Sequence, residues 1–392
     1  MNQINLNNKE YDVIIVGAGF SGLYQLICLR DQLGMNCLVL ETGDDVGGTW
    51  YWNRYPGARC DTESHAYSYY FSDELLKEWT WSERYPGHAE IRRYMNFVAD
   101  KFDLKKDILF NHKVTSAHFN EDKICWEVRI NDKLSLKSKF LITAVGCLSN
   151  ANIPKIKGLE NFKGKYYHTG NWPKNGVSFF GNKVGQIGTG STGIQAVPVI
   201  AEEAKYLTVF QRTANYSIPA RNKPLTENFK IHVKEKFKYY RELLKKTPNG
   251  HPFEISDRLV ADVEDLEMQE IYEKAWEKGG LQFRGSFSDL VTNVEANKTA
   301  SDFIKNKINE TVSNKKFAAI LSDIDHPYAG KRPPIDSNYF ETYNRDNIDL
   351  VDLRNNPITH INEKGIQTEK KHFDLDIIVF ATGYDAMTGP LL

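Results

Sequence analysis

Residues 11–41, "YDVIIVGAGFSGLYQLICLRDQLGMNCLVLE", decide the fold. The apolar run Val13 to Val16 reads as a buried strand. Gly17, Gly19 and Gly22 follow it in GxGxxG spacing. Leu23, Leu26, Ile27 and Leu33 then recur at roughly helical intervals, and "CLVLE" is a second strand ending on Glu41. Strand, glycine turn, helix and strand make up a dinucleotide-binding unit. Its first glycine permits the tight turn, its second lets backbone approach a pyrophosphate, and its third lets helix pack closely on strand. The diphosphate of such a ligand rests on the helix N-terminus.

The pattern returns. In "NKVGQIGTGSTGIQAVPVIAEEAKYLTVFQRT" the strand Val184 to Ile187 leads into Gly188, Gly190 and Gly193, a helix, and the strand Tyr206 to Gln211. Each copy is followed later by a buried-looking strand with a small-residue turn, "KFLITAVG" and "LDIIVFATGYD". The expected fold class is therefore α/β, with two Rossmann-like dinucleotide-binding domains. The second carries a long Lys- and Glu-rich insertion, about 224–330, with a mostly helical pattern. Expected boundaries are a first domain over 1–150, a linker over 151–180, a second domain over 181–385, and a further segment starting at 386–392.

The residue 19 positions past the last glycine separates the two ligands. In the first copy it is Glu41, an acceptor for the ribose hydroxyls of an unphosphorylated adenosine, which reads as FAD. In the second it is Arg212, followed by Thr213. An arginine there attracts a 2′-phosphate that an acid would repel, so the second ligand reads as NADPH; an ordinary surface ion pair is the alternative for Arg212. Disulfide reductases of this architecture place a cysteine pair after the flavin-site strands. Here that place holds "VGGTWYW", with Trp50 in the thiol's position, which points away from dithiol chemistry and toward electron delivery to oxygen.

Composition narrows the classes further. A formal net charge of −1 supplies no basic field for nucleic acid. The five cysteines, Cys28, Cys37, Cys60, Cys125 and Cys147, form no CxxC pair, so no metal cluster is expected and a reducing compartment fits. The polar N-terminus is no secretory signal and no apolar run spans a membrane, so the expected location is cytoplasmic without stable membrane association. Aromatic residues make up 12 % and cluster at "GTWYWNRYPG", "HAYSYYF" and "YYHTGNWP", as would suit walls around a flat ligand or a packed core. Oligomeric state is not legible.

Several stretches resemble the type I Baeyer–Villiger flavin monooxygenases of the cyclohexanone and phenylacetone monooxygenase group. They are "GAGFSGL", "GDDVGGTWYWNRYPGARCD", "IGTGSTGIQ", "VFQRT", "KRPPIDSNYFETYNRDNI" and "ATGYDAMTG". The family fingerprint FxGxxxHxxxW(P/D) is matched by Phe162, Gly164, His168, Trp172 and Pro173. The resemblance implies FAD and NADPH as cofactors, and a ketone and O2 as substrates. The product is an ester or lactone, formed through a flavin peroxide.

It further implies that Arg332 supplies a fixed positive charge, that Asp61 orients it, and that Lys331 assists Arg212 at the 2′-phosphate. Gly48, Thr49, Trp50, Asp61 and Tyr67 would line FAD, and Thr189 and Ser191 would donate to the NADP diphosphate. His168 would couple the domains rather than titrate. The related alternatives are an N- or S-oxygenating flavin monooxygenase and a nucleotide-binding fragment without catalysis. Relatives continue past the point where this sequence ends, so a C-terminally truncated chain is the expectation.

Overall fold

The computed structural model describes residues 10–386 and 389–391. The chain divides into two compact units. One comprises Met1–Arg54, His88–Ala151 and Tyr384–Leu392; the other comprises Tyr55–Gly87 and Asn152–Gly383.

In the first unit, strands β1 (Glu10–Val16), β2 (Cys37–Leu40), β3 (Ile108–Leu109), β4 (Val114–Asn120), β5 (Cys125–Ile130) and β6 (Leu134–Thr143) form one sheet. Their order is β3-β2-β1-β6-β5-β4. Strands β3, β2, β1 and β6 run parallel, and β5 and β4 return antiparallel. Val13, Ile14 and Ile15 are buried, as the continuous apolar run of a central parallel strand requires.

Two local expectations are corrected here. The helix Phe20–Leu26 passes into a π-helix over Ile27–Gln32, where the Leu33 amide reaches back to the Cys28 carbonyl. The wider π turn breaks the 3.6-residue period, so Leu33 is 69 % exposed instead of facing the core. Strand β6 is buried through Leu136 and Ser138, but its cover does not extend to Phe140, which is 57 % exposed.

The second unit repeats the plan. Strands β7 (Lys165–His168), β8 (Lys183–Ile187) and β9 (Tyr206–Gln211) are followed by the short pair β10 (Ile218–Pro219) and β11 (Ile335–Asp336). Then come β12 (Ile348–Asp352), the antiparallel β13 (Ile358–Asn362), β14 (Gly365–Thr368) and β15 (His372–Asp374), and finally β16 (Ile377–Phe380). The main sheet is wholly parallel, in the order β12-β9-β8-β16-β7. In both units the strand ahead of the glycine turn, β1 or β8, lies between its successor and a strand from much later in the chain, so the repetition in the sequence is a repetition of topology.

Helix Ser191–Glu203 packs Ile194, Val197, Ile200 and Ala201 onto Val184, Leu207 and Val209. The insertion is helical, at Glu227–Glu235, Phe237–Lys246, Asp265–Lys278, Val294–Thr311 and Lys315–Ser322. Thr226, Asn293 and Asn314 cap three of these helices, their side chains accepting from first-turn amides.

The expected boundaries need revision. Residues 55–87 lie in the second unit, not the first. The supposed linker 151–180 supplies β7, an edge strand of the second sheet, because Lys165–His168 pairs in register with Ile377–Phe380. Of the segment 386–392, positions 387, 388 and 392 lie outside the described residues, and Gly389–Leu391 form a 3-10 turn.

The β10–β11 pair holds an unusual carboxyl. Asp336 is fully buried and accepts from the Ser217 hydroxyl at 2.6 Å and the Tyr339 amide at 3.1 Å. Burial is the chief cause that pushes its pKa up to about 6. Its unfolded value is near 3.8, so the folded chain holds a proton that the unfolded chain has released between those pH values. Stability from this group is therefore present below pH 3.8 and is lost as the pH rises through about 6. The loss is on the order of 3 kcal/mol. Urea denaturation across that range should show a smaller fall with rising pH for Asp336→Asn than for the parent; parallel curves would refute the assignment.

Candidate functional site

The first glycine turn is shaped by backbone contacts. Gly17 has φ +104°, and a Cβ on it would stand 2.6 Å from the Ala144 carbonyl oxygen beyond β6. A Cβ on Gly22 would stand 1.8 Å from the Gly17 oxygen. Neither position admits a side chain. Gly19 and Gly48 face each other: a Cβ on Gly48 would lie 2.8 Å from the Gly19 Cα. Thr49 opens the short helix Thr49–Trp52, in which Trp50 is buried.

Glu41 is buried, and its two oxygens accept from the Ala18 and Gly43 amides, both at 2.7 Å. The carboxylate thus braces the loop that would meet a ribose, and each oxygen keeps acceptor capacity beyond that bond. Asp61 and Tyr67, expected beside these residues, belong to the second unit.

The second turn repeats the first. Gly188 has φ +107°, with the Ala381 carbonyl 2.4 Å from where a Cβ would stand; a Cβ on Gly193 would be 2.3 Å from the Gly188 oxygen. Nothing lies within 4 Å of a Cβ on Gly190. That open face adjoins the N-terminus of the thirteen-residue helix Ser191–Glu203, which no side chain caps. Unpaired amides beside open space are what a pyrophosphate requires, so these residues fit a dinucleotide. The Thr189 hydroxyl donates to the Thr213 carbonyl at 3.1 Å and so ties two loops together.

Arg212 and Lys331 are exposed, and among the described residues neither makes an ion pair or side-chain hydrogen bond. The loops that carry them are joined: His326 meets Asn215 at 3.2 Å, and the Tyr216 hydroxyl donates to the His326 carbonyl at 3.0 Å. Two free cations on adjoining loops suit a phosphate monoester.

Arg332 and Asp61 are brought together, with guanidinium Nη2 2.6 Å from carboxylate Oδ1. The arginine side chain is 62 % exposed. Such a pair adds only about 0–1 kcal/mol to stability, so its significance is orientation. Residues that the motifs did not single out hold both partners. Gln195 accepts from the Tyr55 hydroxyl at 2.8 Å and donates to the Arg59 carbonyl at 3.1 Å, clamping the "YPGAR" loop ahead of Asp61. Gly57 is required there, since a Cβ on it would lie 2.3 Å from the Gln195 carbonyl oxygen. On the other side, Asn297 donates to the Tyr328 carbonyl and accepts from its amide, at 2.8 and 2.9 Å. Two prolines and β11 then follow Arg332. The sequence signal for Gln195 was its place at the end of "IGTGSTGIQ", one turn into the second glycine-turn helix.

The fingerprint residues pack within the second unit. Phe162 and Trp172 are buried in its cores, and a Cβ on Gly164 would meet the Asp376 carbonyl at 2.3 Å. His168 is 4 % exposed. Its Nδ1 accepts from the Gly170 amide at 3.0 Å, and its Nε2 lies 3.3 Å from the Thr382 hydroxyl. Burial lowers its pKa, against opposing hydrogen bonds to Asn152 and Gly383. The neutral ring therefore ties β7 to the two chain segments where the second unit begins again and ends.

A model of flavin-binding monooxygenase-like proteins matches residues 10–247. The chain belongs to the flavin-binding monooxygenase-like family. Within it, the chain is 44 % identical to cyclohexanone 1,2-monooxygenase of Acinetobacter over 386 residues, covering 97 % of this chain and 70 % of the relative. A solved structure of an oxidised steroid monooxygenase bound to NADP is 48 % identical, with TM-score 0.94, over 98 % of this chain and 73 % of that one. A complex of OTEMO with FAD and NADP is 42 % identical, with TM-score 0.94, over 97 % and 73 %. No helix among the described residues is long and apolar enough to cross a membrane.

Proposed function

We propose that this flavin-binding monooxygenase-like protein is a Baeyer–Villiger monooxygenase that uses FAD, NADPH and O2 to convert ketones to esters or lactones. The first unit would hold FAD through Gly17, Gly19, Gly22, Glu41, Gly48, Thr49 and Trp50. The second would hold NADPH through the open Gly188–Gly193 turn, the Ser191 helix terminus, Arg212 and Lys331. When bound, the two cofactors supply the electrons and activate oxygen.

The observation that carries the reading is the Arg332–Asp61 pair. A guanidinium stays charged at working pH, and it develops its full effect on a forming oxyanion when its direction is fixed beforehand. Asp61 fixes one nitrogen, and the remaining donors on the exposed side stay open for the reacting oxygens. N- or S-oxygenation makes no comparable demand for a fixed cation.

His168 would act by position. Its contacts include backbone groups and a hydroxyl, and the lowered pKa keeps it neutral near pH 7. We expect His168→Ala to lower ester formed per NADPH consumed and to leave the pH–rate profile in place. Loss of an ionisation near neutrality would instead make it a proton carrier.

The function itself is tested on the purified chain by its flavin absorbance and by lactone yield from a cyclic ketone with NADPH. Bound flavin without any NADPH-dependent lactone, over a range of ketones, would overturn the assignment.

A further inference from the structure

Arg284 stands out among the side chains with no role so far. It is half-buried in the turn Leu281–Gly285, and no ion pair or hydrogen bond engages its guanidinium among the described residues. Arg84, similarly enclosed, is fully used, with Glu63 and the Lys278 carbonyl each at 2.6 Å. A partly desolvated guanidinium with no acceptor is costly, and such a group is commonly completed by a ligand.

Its surroundings locate it. The Ser256 amide donates to the Gly285 carbonyl at 2.9 Å, and a Cβ on Gly285 would lie 3.5 Å from the Phe253 ring. That ring stacks on His251 with centroids 4.9 Å apart and planes at 18°. His251, Phe253 and Arg284 therefore share one wall.

The same wall adjoins the Arg332–Asp61 pair. Protonation of His251 is disfavoured first by burial and then by the charges of Arg284 and Arg332, while Asp61 opposes them. Phe283, next to Arg284, packs edge-on against Tyr328 with centroids 5.7 Å apart, which brings this turn against the segment leading to Arg332. Tyr328, four residues before Arg332, has a buried hydroxyl without a partner and also feels Arg284. Asp61 is already committed to Arg332.

We propose that Arg284, with His251, forms an anion subsite beside Arg332 and that the substrate is a ketone bearing a carboxylate. This rests on the oxygenase reading and names its substrate class. The carboxylate would accept from Arg284 while the ketone carbonyl lies toward Arg332, with Phe253 against the carbon frame.

The test uses a pair matched in heavy-atom count, 4-oxocyclohexane-1-carboxylate and 4-isopropylcyclohexanone, on the flavin- and NADP-loaded protein. Binding is read by calorimetry and turnover by lactone kcat/KM. The parent should prefer the carboxylate, less so at high salt. Arg284→Gln should lower the acid-to-neutral ratio by at least about tenfold, mainly through KM, with partial recovery in Arg284→Lys. No preference in the parent, or a ratio unchanged by Arg284→Gln, would overturn the subsite. So would a loss confined to NADP affinity, which would assign the arginine to the dinucleotide. Should Arg284→Gln fail to fold, the parent's preference and its salt dependence decide. Arg284-dependent carboxylate binding without oxygenation of either ketone would keep the subsite and refute the oxygenase; oxygenation of both without preference would do the reverse.

Discussion

Arg332→Ala should abolish ester formation while NADPH consumption continues. Removing one preorganised donor to a developing oxyanion commonly costs about 10²–10³ in rate, and here the lost group also carries the fixed charge. Its contact with Asp61 spans 271 residues of sequence, and Arg212 and the neighbouring Lys331 keep their own side chains for the 2′-phosphate, so dinucleotide binding should survive. The discriminating measurement is lactone formed per NADPH oxidised, with hydrogen peroxide quantified alongside. Arg332→Lys keeps the charge and loses the planar fork, so it should fall between parent and alanine. Asp61→Asn should weaken orientation without removing charge and give a smaller defect. Ester formation at the parental rate in Arg332→Ala would remove the arginine from the mechanism.

Arg212→Ala is the second large effect, and it concerns selectivity. The 2′-phosphate is the group that distinguishes NADPH from NADH, and a charge-assisted hydrogen bond to it is worth about 1.5–3 kcal/mol. The ratio of kcat/KM for NADPH over NADH should therefore fall by about 10–100-fold, with NADH itself little changed. Lys331 on the adjoining loop supplies a second cation, so some preference should persist until both are replaced. Equal weakening of the two nucleotides would show that Arg212 supports the loop and does not read the phosphate.

Much of the site was legible because it is local. A GxGxxG turn is built from neighbours in sequence, and its first and third glycines recur in both units because a Cβ there would strike the equivalent carbonyls. Gly17 meets Ala144 and Gly188 meets Ala381, in each case just past the late strand. The acidic or basic residue after the second strand is likewise set by a short count along the chain. Arg332 and Asp61 were nameable only through motif resemblance, since nothing in their local sequence distinguishes a catalytic pair from loop residues.

The misreadings share a cause. Leu33 was assigned to a helical face by a 3.6-residue period that the π turn breaks, and Phe140 was given a burial that pairing order alone does not supply. Residues 151–180 read as a connector because Gly and Pro punctuate them, yet β7 forms when Lys165–His168 finds Ile377–Phe380.

By itself the sequence determined the two nucleotide turns, their phosphate preference and the family, because each depends on residue types at short fixed spacings. Only the tertiary structure decided that Gln195 holds the Asp61 loop, that His168 ties β7 to Asn152 and Gly383, and that Arg284 is half-buried without an ion pair among the described residues. Those are facts about which distant groups share a dielectric and a hydrogen-bond partner, and distance in space cannot be read from distance along the chain.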